Sequence, residues 1–314
     1  MHWPRTKNLF EQIKIVVPYR AEENRFALDE QGLYGSADIF FIKTRAKAFI
    51  NVYYLLGLLN SKSLNFWCQK RLKKKGEVRE YKPTLLQNLP IHKININNPE
   101  EVKLHDEVVE KVKAIRGNMA ELAKYSKYFS GPRLTKLEFD APLPEVNDGA
   151  IIKSIAPENQ YSMRTHPEIK IEKPKGFEDE KFYLSKVNKP ELTLTGNVQL
   201  ELKGKNRTSV FIEGPRDLLK LLADILSLSN WKNKSWSEIK ENLLLPDSIV
   251  SFNAQKARIL NEVRDVRTKI LQLQKEIDQI VYKLYGLTEE EIKVVEEKEN
   301  KRFEHGGKIN ADEN

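Results

Sequence analysis

Apolar residues change their spacing several times along the chain, and each change predicts an element. Residues 13–19, IKIVVPY, form a short β-branched run stopped by Pro18, which reads as a strand. The stretch from Arg25 to Lys43 predicts a strand over 25–28, a turn around Asp29 to Gly32, and a second strand over 38–43. The spacing then becomes helical: Tyr54, Leu55, Leu58 and Leu59 share one face. Asn60-Ser61 ends that helix and caps a second one. Residues 77–81 read as a short polar strand or loop before Pro83, and Leu85 to Ile91 closes the region.

Two longer helices follow. Asn98-Pro99-Glu100-Glu101 supplies an N-cap, a proline at the first helical position and a glutamate at the third. Behind this start, Val108, Val112, Ile115, Met119 and Leu122 recur at intervals of four and three. Near the other end, Ile259, Val263, Val266, Ile270, Leu273, Ile277, Ile280 and Leu284 keep the same alternation without a break. A seam of that length predicts a coiled-coil helix, and the two long helices are expected to return antiparallel and pack on each other.

Between them, residues 131–180 are rich in Pro, Glu and Lys and read as irregular structure. Leu192 to Leu202 alternates around Gly196-Asn197, a hairpin signal. A strand over 207–212 and helices over 217–228 and 235–245 complete a small α/β unit, the last helix opened by the Ser235/Glu238 capping box and stopped by Pro246. A second capping box, Thr288/Glu291, opens a short acidic helix, and from Lys298 the chain is polar and expected to be disordered. The fold class is therefore α+β. Its expected segments are 1–98, a first long helix over 99–130, an inserted unit over 131–250, a second long helix with the acidic helix over 251–297, and a tail over 298–314.

The net charge of +8 matters because it is concentrated. From Phe41 to Lys82 the chain carries eleven Lys/Arg and two acidic residues. Such a patch is the footprint expected for a polyanionic partner, nucleic acid first. Arg45, Lys47, Lys73, Lys74, Lys75, Arg79 and Lys82 are the candidates for neutralising phosphates. Tyr81 joins them as a stacking face, whereas Phe66 and Trp67, inside the helical stretch, read as core. Asn65, Gln69, Arg79 and Gln87 have the side-chain chemistry to read base edges.

Catalytic chemistry is sparse. No glycine-rich dinucleotide or phosphate loop is present, the five histidines are scattered, and one cysteine excludes both an internal disulfide and a cysteine-built zinc site. No catalytic, cofactor-binding or metal-binding residue is assigned. The alternative is a Mg-dependent nuclease site at Glu191, Glu201 and Lys203, two carboxylates with a lysine. A further alternative is a coiled-coil scaffold for protein partners. No apolar run is long enough to span a membrane, and the N-terminal MHWPRTKNLF lacks an apolar signal core, so a cytoplasmic setting is expected.

Several blocks resemble a known family. KIVVPYRAEENRFALDEQGLY, YLLGLLNSKSLNFW and VREYKPTLLQNLPI are similar to the TaqI-like C-terminal specificity domain of adenine-specific DNA methyltransferases and fused type IIG restriction–modification enzymes. The matching elements are Asn24 to Ala27, Leu55 to Ser61 and Tyr81 to Pro90, and the ending IDQIVYKLYGLTEEEIKVVEE resembles the close of many such polypeptides. The resemblance implies a target-recognition domain over 1–98 that reads duplex DNA, braced by helices. It also implies a methyltransferase part, in cis or in trans, that holds S-adenosylmethionine. The amino-methyltransferase tetrapeptide is missing from this chain, so the expectation is a specificity module with no cofactor of its own.

Overall fold

The computed structural model describes residues 10–36, 38–44, 50–130, 142–172, 192–195, 197–203, 209–227 and 234–306. The chain divides into two compact units, one made of residues 1–119 and 268–314, the other of residues 120–267.

The first unit opens with β1 (Lys14–Pro18), β2 (Arg20–Ala21), β3 (Ala27–Asp29) and β4 (Ile39–Ile42). The run from Arg25 to Lys43 does not close on itself as a hairpin. β3 and β4 both pair antiparallel with β1, which is the middle strand of the sheet β3-β1-β4. The reason is local. Asp29 ends β3 by accepting the backbone N–H groups of Gln31 and Leu33, both at 2.9 Å. Gly32 then takes a positive φ of 73°, a conformation that glycine adopts without steric cost. The same Asp29 carboxylate pairs with Lys14, whose ammonium also donates to the Phe10 carbonyl at 2.5 Å. Burial would push the Asp29 pKa up, but Lys14 and the loop N–H groups outweigh it and hold the carboxyl below its ordinary range.

Helices α1 (Val52–Asn60) and α2 (Lys62–Arg71) follow, joined at Ser61, which caps the second through its side chain. A short hairpin, β5 (Lys74–Lys75) and β6 (Val78–Glu80), and a single turn α3 (Pro83–Leu86) lead into α4 (Pro99–Tyr125). The start of α4 uses the residues its sequence announces: Asn98 Oδ1 accepts the Glu100 N–H at 3.1 Å and Asn98 Nδ2 donates to Glu101 at 3.2 Å. From the other end of the chain, residues 268–285 and the final helix complete this unit.

Its core is built around α1, whose residues Tyr54 to Leu59 are all buried. Gly57 is the point of closest approach. A Cβ there would stand 2.6 Å from Val108 Cγ1 and 3.0 Å from Val112 Cγ2 on α4, and 3.8 Å from Ile277 Cγ2. The first of these distances is shorter than real side chains tolerate, and valine is stiff at χ1, so the glycine sets how closely the helices pack. Lys111 and Glu276 add an ion pair at 2.5 Å beside this contact.

The second unit comprises α5 (Asp148–Ile152), β7 (Gln160–Ser162), β8 (Lys170–Glu172), β9 (Leu192–Thr195), β10 (Asn197–Lys203), β11 (Ser209–Glu213), α6 (Arg216–Ser227), α7 (Trp236–Asn242) and β12 (Leu244–Pro246), with part of α8 (Ile249–Tyr285). β9 and β10 pair antiparallel, the hairpin that the alternation predicts, with Asn197 in the strand opposite Thr195 and not in the turn. The sheet runs β8-β11-β10-β9, and β12 pairs with β7. Two expectations change here. Residues 142–172 carry a helix and two strands where the composition suggested irregular structure. Leu244–Pro246 is a strand rather than the end of a helix, because α7 stops at Asn242 and the next residues pair with Tyr161 and its neighbours. The core holds Ile151, Ile152, Met163, Ile212, Leu219, Leu222 and Trp236, and the Ser235/Glu238 capping box opens α7 just before Trp236.

Along α8, seven of the eight seam residues are buried, and Leu273 is half-buried. The final helix α9 (Glu289–Gly306) starts at the Thr288/Glu291 box and continues past Lys298, where disorder was expected; residues 307–314 lie outside the described residues. Among the described residues no helix is long and apolar enough to cross a membrane.

The packing at Gly57 gives a direct contrast with Gly117, which sits in α4 with open space around it. Gly57→Val should lower stability by about 2 kcal/mol or more through overpacking. Gly117→Ala should raise it by about 0.5–1 kcal/mol through helix propensity. Denaturant midpoints of the two variants check both signs.

Candidate nucleic-acid interface

Between Lys70 and Lys82 the chain has seven cations and two carboxylates. The fold gathers much of this charge onto one small sheet, ordered β2-β6-β5. Its hairpin is tight: Lys75 pairs with Val78 across the two-residue loop Gly76-Glu77, and Gly76 supplies a φ of 63°, the geometry that two-residue hairpins demand. Pairing of β2 with β6 sets Arg20 opposite Glu80 and Ala21 opposite Arg79. Arg20 thereby joins the patch, although it lies some fifty residues earlier in sequence and no periodicity points to it.

Alternation along the strands separates the cations. Lys74 and Arg79 are direct cross-strand partners, while Lys75 and Val78 point to the opposite face, with Arg20 and Glu80. Lys73, Lys74 and Lys75 are exposed, and Lys74 makes a long 4.0 Å ion pair with exposed Glu77. Arg79 is half-buried and aimed: its Nε donates to Gln69 Oε1 at 3.0 Å, and Gln69 Nε2 donates to the Glu22 carbonyl at 2.6 Å. Gln69 is thus committed to holding Arg79. Gln87 is exposed just past α3.

Glu80 is the one buried carboxylate of the patch. Its Oε1 accepts the Tyr19 hydroxyl at 3.1 Å and Arg20 Nη2 at 3.3 Å, and its Oε2 takes Lys82 Nζ at 3.2 Å. Burial pushes its pKa up, but Lys82, Tyr19 and Arg20 together outweigh that and keep the carboxyl below the usual glutamate range.

Two expected site residues have structural roles instead. Tyr81 is 0% exposed, so its ring offers no face to a base. It packs edge-on against Phe26 at 6.0 Å and donates its hydroxyl to Asn24 Oδ1 at 2.9 Å. Asn65 is buried and its Oδ1 accepts the Asn24 N–H at 3.0 Å, so it reads the protein's own backbone. Asn24 completes the latch by donating to the Leu59 carbonyl at 2.7 Å, and Asn60 exchanges two bonds with the Phe26 backbone, at 3.0 and 2.9 Å. The asparagine and aromatic positions of the NRFA, LLNS and REYKP blocks therefore tie the β2–β3 loop to both helices and to the hairpin. Trp67 packs half-buried against this core, and Phe66 lies under Lys70 at 5.6 Å.

Arg45, Lys47 and Glu191 lie outside the described residues. Glu201 and Lys203 lie two residues apart on β10, opposite Phe211 and Ser209. Among the described residues no group of three or more His, Cys, Asp or Glu side chains is placed to hold a metal ion.

Residues 1–91 match the family model of the TaqI-like C-terminal specificity domain. The chain is also similar to the type II methyltransferase M.HincII of Haemophilus influenzae, 27% identical over 94 residues, or 30% of this chain and 19% of that protein. It is similar to the type II methyltransferase M.HindII of Haemophilus influenzae at the same identity over 94 residues, 18% of that protein. The chain thus spans about a fifth of the length of these curated relatives.

Tyr81→Phe separates the latch from a stacking role. Loss of the hydroxyl should cost about 1 kcal/mol of stability by denaturant unfolding, while duplex-DNA affinity of the folded protein stays at the wild-type value. Loss of affinity without loss of stability would return Tyr81 to the interface.

Proposed function

We propose that this chain is a sequence-specific duplex-DNA recognition module of a restriction–modification adenine methyltransferase, and that it performs no catalysis by itself. It directs a methyltransferase part joined to it, as in a type IIG enzyme, or supplied by a separate polypeptide. S-adenosylmethionine belongs to that part, and the complex works in the cytoplasm. The single observation that carries this reading is a coincidence. The segment matching a specificity domain, residues 1–91, is also the segment that holds the basic sheet.

Physical chemistry supports the assignment of the sheet. Like charges directly opposite each other across a strand pair are unfavourable, yet Lys74 faces Arg79. Such a pair suits a surface whose counter-charge arrives with a ligand. Lysines on a short edge strand also discourage edge-to-edge pairing, but that need is already met by β5. It does not call for Arg79 aimed by Gln69, or for Arg20 and Lys82 held on Glu80. The proposed interface is therefore Arg20, Lys73, Lys74, Lys75, Arg79 and Lys82, with Arg45 and Lys47 as further phosphate contacts. Arg79 and Gln87 are the candidates for base edges.

The same reading treats α4 and α8 as an antiparallel coiled coil that braces the module, and residues 131–250 as a unit inserted between them. The convergence of Val108, Val112 and Ile277 on Gly57 supports the brace. A separate core around Ile212 and Leu222 supports the inserted unit.

Reversing the three exposed lysines, Lys73→Glu with Lys74→Glu and Lys75→Glu, should weaken binding to every duplex sequence by at least about tenfold at low salt. The salt dependence should also become shallower, by about 0.9 in log–log slope for each phosphate that is no longer neutralised. Titrations at several salt concentrations check both. Unchanged affinity would remove the hairpin from the interface.

A further inference from the structure

Glu80 is a liability for a polyanion surface if only charge is counted. It places a negative charge inside the basic sheet, and its side chain is 6% exposed while those of Arg20 and Lys82 are 43% and 45% exposed. Half-exposed ion pairs contribute little to stability, and a buried carboxylate is costly to desolvate. The contacts with Lys82, Tyr19 and Arg20 outweigh the cost of burying the carboxylate, and they also fix a geometry. The two cationic heads are pinned to opposite oxygens of one carboxylate, Arg20 on Oε1 and Lys82 on Oε2.

The support behind Glu80 is rigid. Tyr19 donates to Oε1 and carries the Arg20 guanidinium over its ring at 4.9 Å. Tyr19 is itself fixed, by its N–H to the Asp38 carbonyl at 2.6 Å and by an edge contact with Phe40 at 5.8 Å. The backbone holds the other side, since the Tyr81 N–H donates to the Tyr19 carbonyl at 2.8 Å and the Glu80 N–H to the Lys73 carbonyl at 3.1 Å. Long cationic side chains lose rotamer freedom when they grip a ligand, and an anchor that removes this freedom beforehand makes the grip stronger.

We propose that Glu80 is a positioning residue for DNA: it presets Arg20 and Lys82 as a paired clamp on the phosphodiester backbone, at the expense of one unfavourable charge. This rests on the reading of the basic sheet as the DNA interface.

The test uses the full chain and a mixed-sequence duplex. Glu80→Gln keeps the shape and still accepts the Tyr19 hydroxyl, but raises the net charge by one. Charge counting alone predicts tighter binding. Positioning predicts weaker binding, by roughly three- to tenfold, because the clamp loses its preorganisation. Tighter binding would overturn the proposal.

Arg20→Lys gives a second measurement at an exposed site, free of folding doubts. It keeps the charge but loses the planar fork and the stacking on Tyr19, so affinity should fall at constant net charge. Wild-type affinity would count against the clamp. In a background of Arg20→Gln with Lys82→Gln, Glu80 has nothing left to position, and Glu80→Gln should then strengthen binding. Continued weakening there would mean a purely structural role and would overturn the assignment. If the Lys73–Lys75 reversal leaves affinity unchanged, the interface itself is wrong and this assignment falls with it. If that reversal weakens binding while Glu80→Gln tightens it, only the role of Glu80 is wrong.

Discussion

A set of part-buried amide hydrogen bonds around Asn24 ties the elements of the first unit together. Asn24 uses its N–H, its carbonyl oxygen and its amide nitrogen on three different partners: Asn65 on α2, Tyr81 beyond β6, and the end of α1 at Leu59. Each bond joins two elements as well as satisfying a polar atom. Asn60 does the same for the Phe26 backbone. The neighbouring Cys68 is buried, and burial pushes its thiol up to about 12, so it stays in the neutral thiol form.

The latch reaches the surface through the hairpin. Tyr81 ends the strand that carries Arg79 and Glu80, and Gln69, on the same helix as Asn65, aims Arg79. A rigid interior thus supports an exposed cationic sheet. The segment before α4 is held in a comparable way, since Tyr285 accepts the His92 N–H at 3.2 Å and donates to the Pro90 carbonyl at 2.5 Å, and Glu101 accepts the Asn95 N–H at 2.9 Å. Hydrogen bonds to Asn95 and His92 hold the Glu101 carboxyl below its ordinary range against the effect of burial.

Features set by neighbours in sequence were legible before the fold was known. The caps at Asn98, Ser235 and Thr288 depend on residues three positions apart. The leucine block was readable as a helix, but not the reason for its glycine, which depends on Val108 and Val112 some fifty residues away. Strand partners were not legible, because pairing β1 with both β3 and β4 is a long-range choice among similar apolar runs. For the same reason nothing in the sequence places Arg20 opposite Glu80 or Tyr81 inside the core. A tyrosine within a lysine-rich stretch looks like a stacking platform until its hydroxyl is seen to end on Asn24.

On the proposed reading the first unit reads a DNA sequence and does more than grip the backbone. Selection of bound duplexes from a randomised library, at near-physiological salt with the full chain, tests it most directly. Sequence readout by this unit predicts enrichment of a defined motif. Salt-sensitive binding with no enriched sequence would contradict sequence readout by this chain alone, and absence of binding would contradict the assignment of the basic sheet altogether.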